Sequence, residues 1–180
     1  MANHVALLRG INVGGQKLLA MSELHALFEK LGLANVRTIL QSGNVVFQSE
    51  GKTTQALESL LEVEIEKRFG HAVACLVRNA AEWKKIIARN PFPKEAEADP
   101  SHLLVMCLKN EVKNKDVDSL RAAIKGPEIV SASGKQLYVV YPAGIGTSKL
   151  TNGLIERMLG TSGTARNWNT VLKLAELLGE

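Results

Sequence analysis

Two polar segments of this chain contain the residue types that bind anions. The first is Arg9-Gly10-Ile11-Asn12-Val13-Gly14-Gly15-Gln16-Lys17. Glycines allow backbone N–H groups to converge on an anion, and arginine and lysine add positive charge. Gly10 and Gly15 have the spacing of a phosphate-binding P-loop, but Gln16-Lys17-Leu18 stands where that motif requires lysine followed by serine or threonine. We therefore reject a P-loop, and the glycines do not fit a dinucleotide-binding fingerprint either.

A predicted hairpin turn, Gln41-Ser42-Gly43-Asn44, extends this first cluster. We predict that the cluster contacts a ligand through Arg9, Asn12, Gly14, Gly15, Lys17, Ser42, Gly43 and Asn44. The alternative is a tight structural loop in which the glycines only supply positive φ angles.

The second cluster combines Gly144-Ile145-Gly146-Thr147-Ser148-Lys149 with Arg166-Asn167-Trp168-Asn169. A glycine loop that leads into a helix start is a suitable oxyanion site. An arginine beside a tryptophan could hold a phosphate and stack on a base or sugar. The ligand-binding residues predicted here are Ser148, Lys149, Arg166, Asn167, Trp168 and Asn169. The alternatives are that Thr147 or Ser148 is an N-cap, and that Trp168 packs between repeats while its neighbours cap the last helix.

Groups suited to acid–base or nucleophilic chemistry are missing from both clusters, which contain no Asp, Glu, His or Cys. We therefore predict no catalytic residue, no metal and no cofactor, and we favour binding over catalysis. The four histidines have no metal-ligand spacing: His4, His25, His71 and His102. Cys75 and Cys107 lie in apolar runs and are predicted to be buried thiols.

The partner predicted from these clusters is a phosphorylated ligand, a nucleotide or a nucleic-acid backbone. One alternative is an enzyme acting on a phosphate or acyl substrate, which would need a carboxylate from elsewhere. The nearest carboxylates in sequence are Glu23, Glu128 and Glu156. Another alternative is a protein-interaction scaffold that uses an exposed sheet face.

Composition sets the broad class of protein. A chain of 180 residues with 46% hydrophobic and 22% charged residues is typical of a globular protein. The start of the sequence lacks the pattern of a signal peptide, and no apolar run approaches the roughly 20 residues that span a bilayer. We therefore predict a soluble, cytoplasmic protein without membrane contact. The net charge of +4 permits an anionic partner without requiring one.

The chain repeats itself. Val77-Arg78-Asn79-Ala80-Ala81-Glu82-Trp83-Lys84-Lys85-Ile86 resembles Ala165-Arg166-Asn167-Trp168-Asn169-Thr170-Val171-Leu172-Lys173-Leu174, 88 positions later. The strand openings at His4 and His102 also match, each being followed by four apolar residues. Three of the five prolines fall in 91–100. We predict a first repeat at 1–90, a linker at 91–100 and a second repeat at 101–180.

Hydrophobic periodicity predicts the element order β-α-β-β-α-β-α in each repeat. That order defines an α+β fold, a tandem duplication of a ferredoxin-like unit with antiparallel sheets and helices on one face. Right-handed crossovers give the strand order 4-1-3-2. The first cluster then lies at one end of its sheet and the second cluster at the opposite end of the other. We predict that the two clusters meet in one cleft.

Three segments of the sequence resemble a bacterial family catalogued as domain of unknown function 1697. They are Val5–Gly15, Gln41–Phe47 and Arg166–Val171. The resemblance runs over essentially the whole chain and implies two tandem ferredoxin-like units. It implies no activity, substrate or cofactor. Family members often have Thr directly before the final Arg-Asn-Trp-Asn, where this chain has Ala165.

Overall fold

The computed structural model describes residues 1–39 and 43–179. The first repeat contains β1 (Ala2–Leu8), α1 (Met21–Lys30), β2 (Ala34–Ile39), β3 (Asn44–Ser49), α2 (Thr54–Phe69), β4 (Cys75–Asn79) and α3 (Ala80–Ala88). The second part contains α4 (Pro93–Ala98), β5 (Leu103–Leu108), α5 (Asn114–Ala123), β6 (Ile129–Ser133), β7 (Gln136–Val140), α6 (Asn152–Leu159), β8 (Gly163–Asn167) and α7 (Trp168–Gly179). The predicted fold class is confirmed, and the predicted linker contains the short helix α4.

Two antiparallel four-stranded sheets form the framework, with strand orders β2-β3-β1-β4 and β6-β7-β5-β8. Both match the predicted order 4-1-3-2. In this topology the start of β1 and the ends of β3 and β4 lie at one end of the first sheet. The end of β1, the end of β2 and the start of β3 lie at the other end.

The helices that follow β3 and β7 begin and end through the same local signals. Thr53 accepts a hydrogen bond from Ala56 N–H at the start of α2, and Gly70 ends that helix in the left-handed conformation. In α6, Thr151 accepts a hydrogen bond from Leu154 N–H at the start, and Gly160 ends the helix in the left-handed conformation. The Thr151 cap places the start of α6 at Asn152.

The chain divides into two compact units, and the boundaries fall within α3 and α7. Unit 1 comprises Met1–Lys84 and the part of α7 from Leu174 onwards. Unit 2 comprises Lys85–Lys173. As sequence repeats, 1–90 and 101–180 remain the predicted units.

Each sheet is buried on both of its faces. In unit 1, α1 and α2 pack on the face that contains Phe47, whose ring lies edge-on to Phe28 with centroids 5.4 Å apart. Buried residues of the other face are Val5, Leu7, Val46 and Leu76. On that second face Asn3 Nδ2 donates to Leu178 O of α7 at 2.8 Å. In unit 2, Tyr138 Oη donates to Ile86 O of α3 at 2.6 Å. Burial on both faces explains why these strands are continuously apolar in sequence.

The strand register corrects the predicted match of His4 with His102. His4 pairs with Asn79 on β4, whereas it is Leu104 that pairs with Asn167, the counterpart of Asn79. The true counterpart of His4 is therefore Leu104, two residues after His102. A shift of two residues keeps side chains on the same face, so the apolar pattern alone cannot detect it.

Candidate functional site

The glycine loop after β1 is closed by its own polar side chains. Asn12 Nδ2 donates to Leu19 O at 3.0 Å, and Asn12 Oδ1 accepts from Leu19 N–H at 2.9 Å. Lys17 Nζ donates to Ala72 O at 2.8 Å. Gly14 and Gly15 are exposed, with φ angles of 60° and 74°. The polar groups of Asn12 and Lys17 thus serve loop closure, and Arg9 is half-buried.

The structure brings the start of this loop next to Gly43, which precedes β3. Leu8 N–H donates to Gly43 O at 2.9 Å. Asn44 is fully buried, and its Nδ2 donates to Ile39 O at 3.0 Å. Ser42 lies outside the described residues.

In the second cluster, the loop before α6 is held by Ser148. Its hydroxyl donates to Glu128, one of the carboxylates named from the sequence, and accepts from Leu150 N–H at 3.0 Å. Lys149 is exposed and lines a cavity of about 400 Å³ between α5 and α6. Ser148 is thus bonded at both its donor and acceptor sides.

The Arg-Asn-Trp-Asn segment lies at the junction of β8 and α7. Arg166 is 9% exposed, and its Nη1 donates to Thr164 Oγ1 at 2.8 Å and to Ala165 O at 2.9 Å. Burial lowers the pKa of Arg166 to about 10, so the guanidinium remains charged at neutral pH. Trp168 is 6% exposed, whereas Asn169 is exposed.

The repeated Arg-Asn phrase has a structural explanation in helix capping. Asn167 Oδ1 accepts from Thr170 N–H at 3.0 Å at the start of α7. In the first repeat, Asn79 Oδ1 accepts from Glu82 N–H at 2.8 Å, and Glu82 accepts from Asn79 N–H at 2.8 Å. This reciprocal pair is a capping box formed with Asn instead of Ser or Thr. An asparagine at the strand–helix junction therefore starts α3 and α7 in the same way.

A larger cavity, which the sequence did not indicate, lies at the opposite end of the unit 1 sheet. Its volume is about 740 Å³, and both α2 and α3 begin at its wall. We call it the α2–α3 pocket. Its lining residues are Met1, Ala2, Asn3, His4, Gln48, Ser49, Gly51, Lys52, Thr53, Asn79, Ala80 and Ala81.

Ser49 is the most informative residue of the α2–α3 pocket. It is 5% exposed, and its hydroxyl has no hydrogen-bond partner within residues 1–39 and 43–179. An unsatisfied buried hydroxyl costs about 1–3 kcal/mol. The Oγ atom itself has less than 1 Å² of accessible surface, and because Ser49 lines the cavity, rotation about χ1 can turn the hydroxyl towards a bound ligand.

His4 lies on the same face of the sheet as Ser49, two residues along β1 from Ala2, the cross-strand partner of Ser49. Its Nδ1 is 2.8 Å from Ala2 O, which only accepts, so Nδ1 carries the proton of the neutral ring and Nε2 is an acceptor. Burial lowers the pKa of His4, partly opposed by the Ala2 carbonyl and by the charge of Glu82. The pocket thus contains a neutral imidazole at neutral pH.

We expect this burial to make the stability of the protein depend on pH near neutrality. The unfolded chain has the ordinary histidine pKa of 6.5, and the folded pKa is lower. Between these two values the unfolded state binds more protons, so the free energy of unfolding falls as pH drops below about 6.5. His4→Phe, which keeps a ring against Phe47, should remove this share of the pH dependence. Denaturant unfolding at several pH values between 7.5 and 5 measures the free energy of unfolding of the wild type and of His4→Phe. If this free energy changes equally with pH in both proteins, the role assigned to His4 is wrong.

Electrostatics at the pocket favour an anion at the start of α2. The first turn of α2 contains no acidic residue, and Lys52 precedes the helix in the pocket lining. At α3, the first-turn acid Glu82 is engaged in the capping box. A helix N-terminus has the effect of about half a positive charge.

The corresponding place in unit 2 is filled. Ser49 pairs with Ala2, and in the aligned register its counterpart is Tyr141, whose N–H donates to His102 O. Tyr141 is buried in the unit 2 core, and its Oη donates to Leu150 O at 3.0 Å. Burial raises the pKa of Tyr141 to about 12. The repeats share a backbone but differ at this position, since a large side chain replaces the small serine.

Signals for this pocket exist in the sequence but are weak. Gly51-Lys52-Thr53-Thr54 follows β3 after Glu50, and lysine with hydroxyl residues at a helix start is compatible with an anion site. What the sequence cannot show is that Ser49 lacks a partner among the described residues, because that depends on contacts among β1, β3 and α2.

Other kinds of site are not indicated. Within residues 1–39 and 43–179, no group of His, Cys, Asp and Glu side chains is arranged to hold a metal ion. Across the same ranges, no helix combines the length and the apolar character needed to cross a bilayer.

The two β-α-β-β-α-β units define the class of this molecule as a tandem ferredoxin-like α+β protein. Residues 1–138 match the family described as "Protein of unknown function (DUF1697)", and the chain belongs to this family. The structure is similar to that of the conserved bacterial protein SP0830 from Streptococcus pneumoniae, with a TM-score of 0.77 and 19% sequence identity. That similarity covers 100% of this chain and 99% of the other. No functionally curated protein matches the chain.

Proposed function

We propose that this protein binds a small phosphorylated ligand, without covalent chemistry, in the α2–α3 pocket. The observation that carries the proposal is the buried hydroxyl of Ser49, which has no partner among residues 1–39 and 43–179 and belongs to a residue that lines a cavity where two helices begin. A neutral hydroxyl can donate to a phosphoryl oxygen, and so can the free N–H groups at a helix start.

The groups around Ser49 support a phosphoryl ligand in particular. Of the first N–H groups of α2, the Thr53 side chain satisfies the one on Ala56. Helix starts bind phosphate through their unpaired N–H groups and their dipole, and Lys52 adds a full positive charge. The pocket lining itself contains no Asp or Glu, and the carboxylate of the neighbouring Glu82 is engaged in the capping box.

Binding without catalysis is supported by the lack of an activated nucleophile among the described residues. Ser49 and His4, the possible reactive groups, are diagonal neighbours on antiparallel strands, a separation of about 7–8 Å. The described structure has no hydrogen bond from Ser49 that would activate it as a nucleophile. A hydroxyl and an imidazole placed in this way can contact one ligand from two sides.

A large side chain at position 49, like the one at the equivalent position of unit 2, should fill the pocket and strongly weaken phosphate binding. We expect Ser49→Tyr, which introduces the side chain found at Tyr141, to weaken phosphate binding by at least about tenfold. Lys52→Ala should weaken it by about three- to tenfold, since it removes one charge near an exposed helix start. Isothermal titration calorimetry with inorganic phosphate at low ionic strength measures both effects.

The controls are matched substitutions on α1 of the same unit. Ser22→Tyr and Lys30→Ala change exposed residues away from the pocket and should leave phosphate affinity unchanged. Circular dichroism should show that Ser49→Tyr remains folded. Absence of phosphate binding by the wild-type protein at millimolar concentration, or equal binding by wild type and Ser49→Tyr, would reject the proposal.

A further inference from the structure

We infer that unit 2 contains a second binding site, which takes a free fatty carboxylate of medium chain length. The site is the cavity of about 400 Å³ bounded by the end of α5, the loop residues Lys149 and Leu150, and α6. We call it the α5–α6 cavity. Its volume is at the lower end of the range of small-molecule sites. The inference does not depend on the phosphate site proposed for unit 1.

Much of the lining of the α5–α6 cavity is apolar. The apolar side chains are those of Ile124, Leu150, Leu154 and Met158. Leu150 is buried in the unit 2 core, whereas the other three pack against that core and are only partly buried. Leu154 and Met158 are four residues apart on α6, so they share one side of the helix. Partly exposed apolar surface inside a cavity is the kind of surface that a hydrocarbon chain buries.

The equivalent positions of unit 1 are charged. Both α2 and α6 end at a glycine in the left-handed conformation. Counted back from that glycine, Leu154 and Met158 of α6 occupy the positions of Glu64 and Arg68 on α2. Glu64 and Arg68 each form an ion pair. Unit 1 therefore folds with charged residues at these two positions, and the fold by itself does not explain the apolar pair of unit 2.

Positive charge surrounds this apolar lining. Lys125, Lys149 and Arg157 line the cavity, and all three are exposed. The lining contains one carboxylate among the described residues, that of Glu128, and its Oε1 accepts from the Ser148 hydroxyl. The cations outnumber this carboxylate, so the charge of the lining favours an anion. The guanidinium of Arg157 also has the planar geometry that matches a carboxylate.

The size and the mixed character of the cavity favour a small amphipathic molecule over other partners. Ten described residues line it, whereas a protein interface of standard size involves about 20–30 residues on each side. A sugar phosphate is polar throughout and would leave Leu154 and Met158 without an apolar partner. A fatty carboxylate has one anionic head for the cations and one hydrocarbon chain for the apolar side chains.

The test is calorimetric titration of the full chain with butyrate, hexanoate, octanoate and 1-octanol. Each buried CH₂ group adds up to about fourfold in affinity, so octanoate should bind at least about tenfold tighter than butyrate. 1-Octanol has the same chain length without the charge and should bind at least about threefold more weakly than octanoate. No octanoate binding at millimolar concentration, or 1-octanol binding as tightly as octanoate, would overturn the inference.

A charge placed in the apolar lining should abolish the site. Leu154→Glu introduces the residue type that α2 has at the equivalent position, and we expect it to weaken octanoate binding by at least about tenfold. The matched control is Leu172→Glu, which changes a leucine of α7 that is 41% exposed and does not line the cavity. This control should keep octanoate affinity within about twofold of the wild type. Circular dichroism should show that both variants remain folded.

A second variant tests the cations and does not depend on the folding of Leu154→Glu. Lys149→Ala changes an exposed residue and should weaken octanoate binding by about three- to tenfold, while 1-octanol affinity stays within about twofold. Lys115→Ala, an exposed lysine of α5 outside the lining, should leave both affinities unchanged.

Two further outcomes would overturn the inference. Equal octanoate affinity in the wild type, Leu154→Glu and Lys149→Ala would place the ligand elsewhere on the protein. Sedimentation with phosphatidylglycerol vesicles, without binding of monomeric octanoate, would indicate a membrane surface as the partner of these cations. The phosphate titrations of Ser49→Tyr examine unit 1 separately, so failure of the fatty-carboxylate site leaves the proposed function in place.

Discussion

Glu58→Ala is expected to destabilise the protein by about 3–5 kcal/mol, the cost of removing one partner from a buried ion pair. Glu58 Oε1 accepts from Val77 N–H at 2.8 Å and lies 3.4 Å from Arg78 Nη1. The two side chains are 11% and 7% exposed, so water cannot replace the carboxylate easily. The substitution removes a hydrogen bond of β4 and a counter-charge of the buried guanidinium together.

Chemical denaturation of the wild type and the variant measures this loss. Glu64→Ala provides the control, because Glu64 is part of an exposed pair with Lys67 and should cost less than about 1 kcal/mol. The double variant Glu58→Leu with Arg78→Leu should recover much of the loss, since it removes both charges. A loss below about 1 kcal/mol for Glu58→Ala would show that the pair contributes little to unit 1.

Gly43→Ala is expected to have the second-largest effect, a loss of about 2–5 kcal/mol. Gly43 has a φ of 78°, and a Cβ at this position would lie 2.7 Å from Ile11 Cδ1 and 2.9 Å from Leu8 Cβ. The left-handed backbone costs an alanine about 1–2 kcal/mol, and overpacking adds about 1–3 kcal/mol. At about 2–4 °C per kcal/mol, the melting temperature should fall by roughly 4–20 °C.

Gly14→Ala separates these two contributions. Gly14 has a similar φ of 60°, but a Cβ there would have no atom within 4 Å. The control should therefore lose only the backbone share, about 1–2 kcal/mol. Thermal unfolding followed by circular dichroism compares the two, and equal losses would show that the close approach to Ile11 and Leu8 carries no cost.

Most of the fold was predictable because it depends on patterns that the sequence repeats. The phrases around Asn79 and Asn167 indicated a duplication, and each asparagine caps the helix that follows its strand. The order of strands and helices, with right-handed crossovers, then gave the observed strand order in both sheets. Which residue of β1 is equivalent to which residue of β5 was not predictable from the sequence, since a shift of two residues leaves the apolar face unchanged.

The candidate site was predictable only in part, because the same side chains that bind ligands also close loops. Asn12 and Asn44 have the polar character expected of ligand contacts, and the structure shows their amides bonded to Leu19 and Ile39. A sequence gives residue types but not the partners that a folded backbone supplies. Ser49 is the converse case, an ordinary strand residue whose importance comes from the absence of a partner among the described residues.

The comparison of the two repeats supplies information that neither repeat provides alone. Where unit 1 has Ser49 and His4, unit 2 has Tyr141 and Leu104 in the equivalent register. Buried in the unit 2 core, Tyr141 bonds Leu150 O. Unit 2 thus shows how an equivalent backbone packs with a large side chain at this position. The substitution Ser49→Tyr places the same side chain at the equivalent position of unit 1.

The most direct test of the central claim is to map phosphate onto the backbone by ¹H–¹⁵N correlation spectroscopy. The account predicts that inorganic phosphate shifts the amide signals of Ser49, Lys52–Gln55 and Asn79–Ala81, and that Ser49→Tyr removes these shifts. Shifts confined to Gly14 and Gly15, or to the loop at 144–149, would place the anion elsewhere and contradict the account.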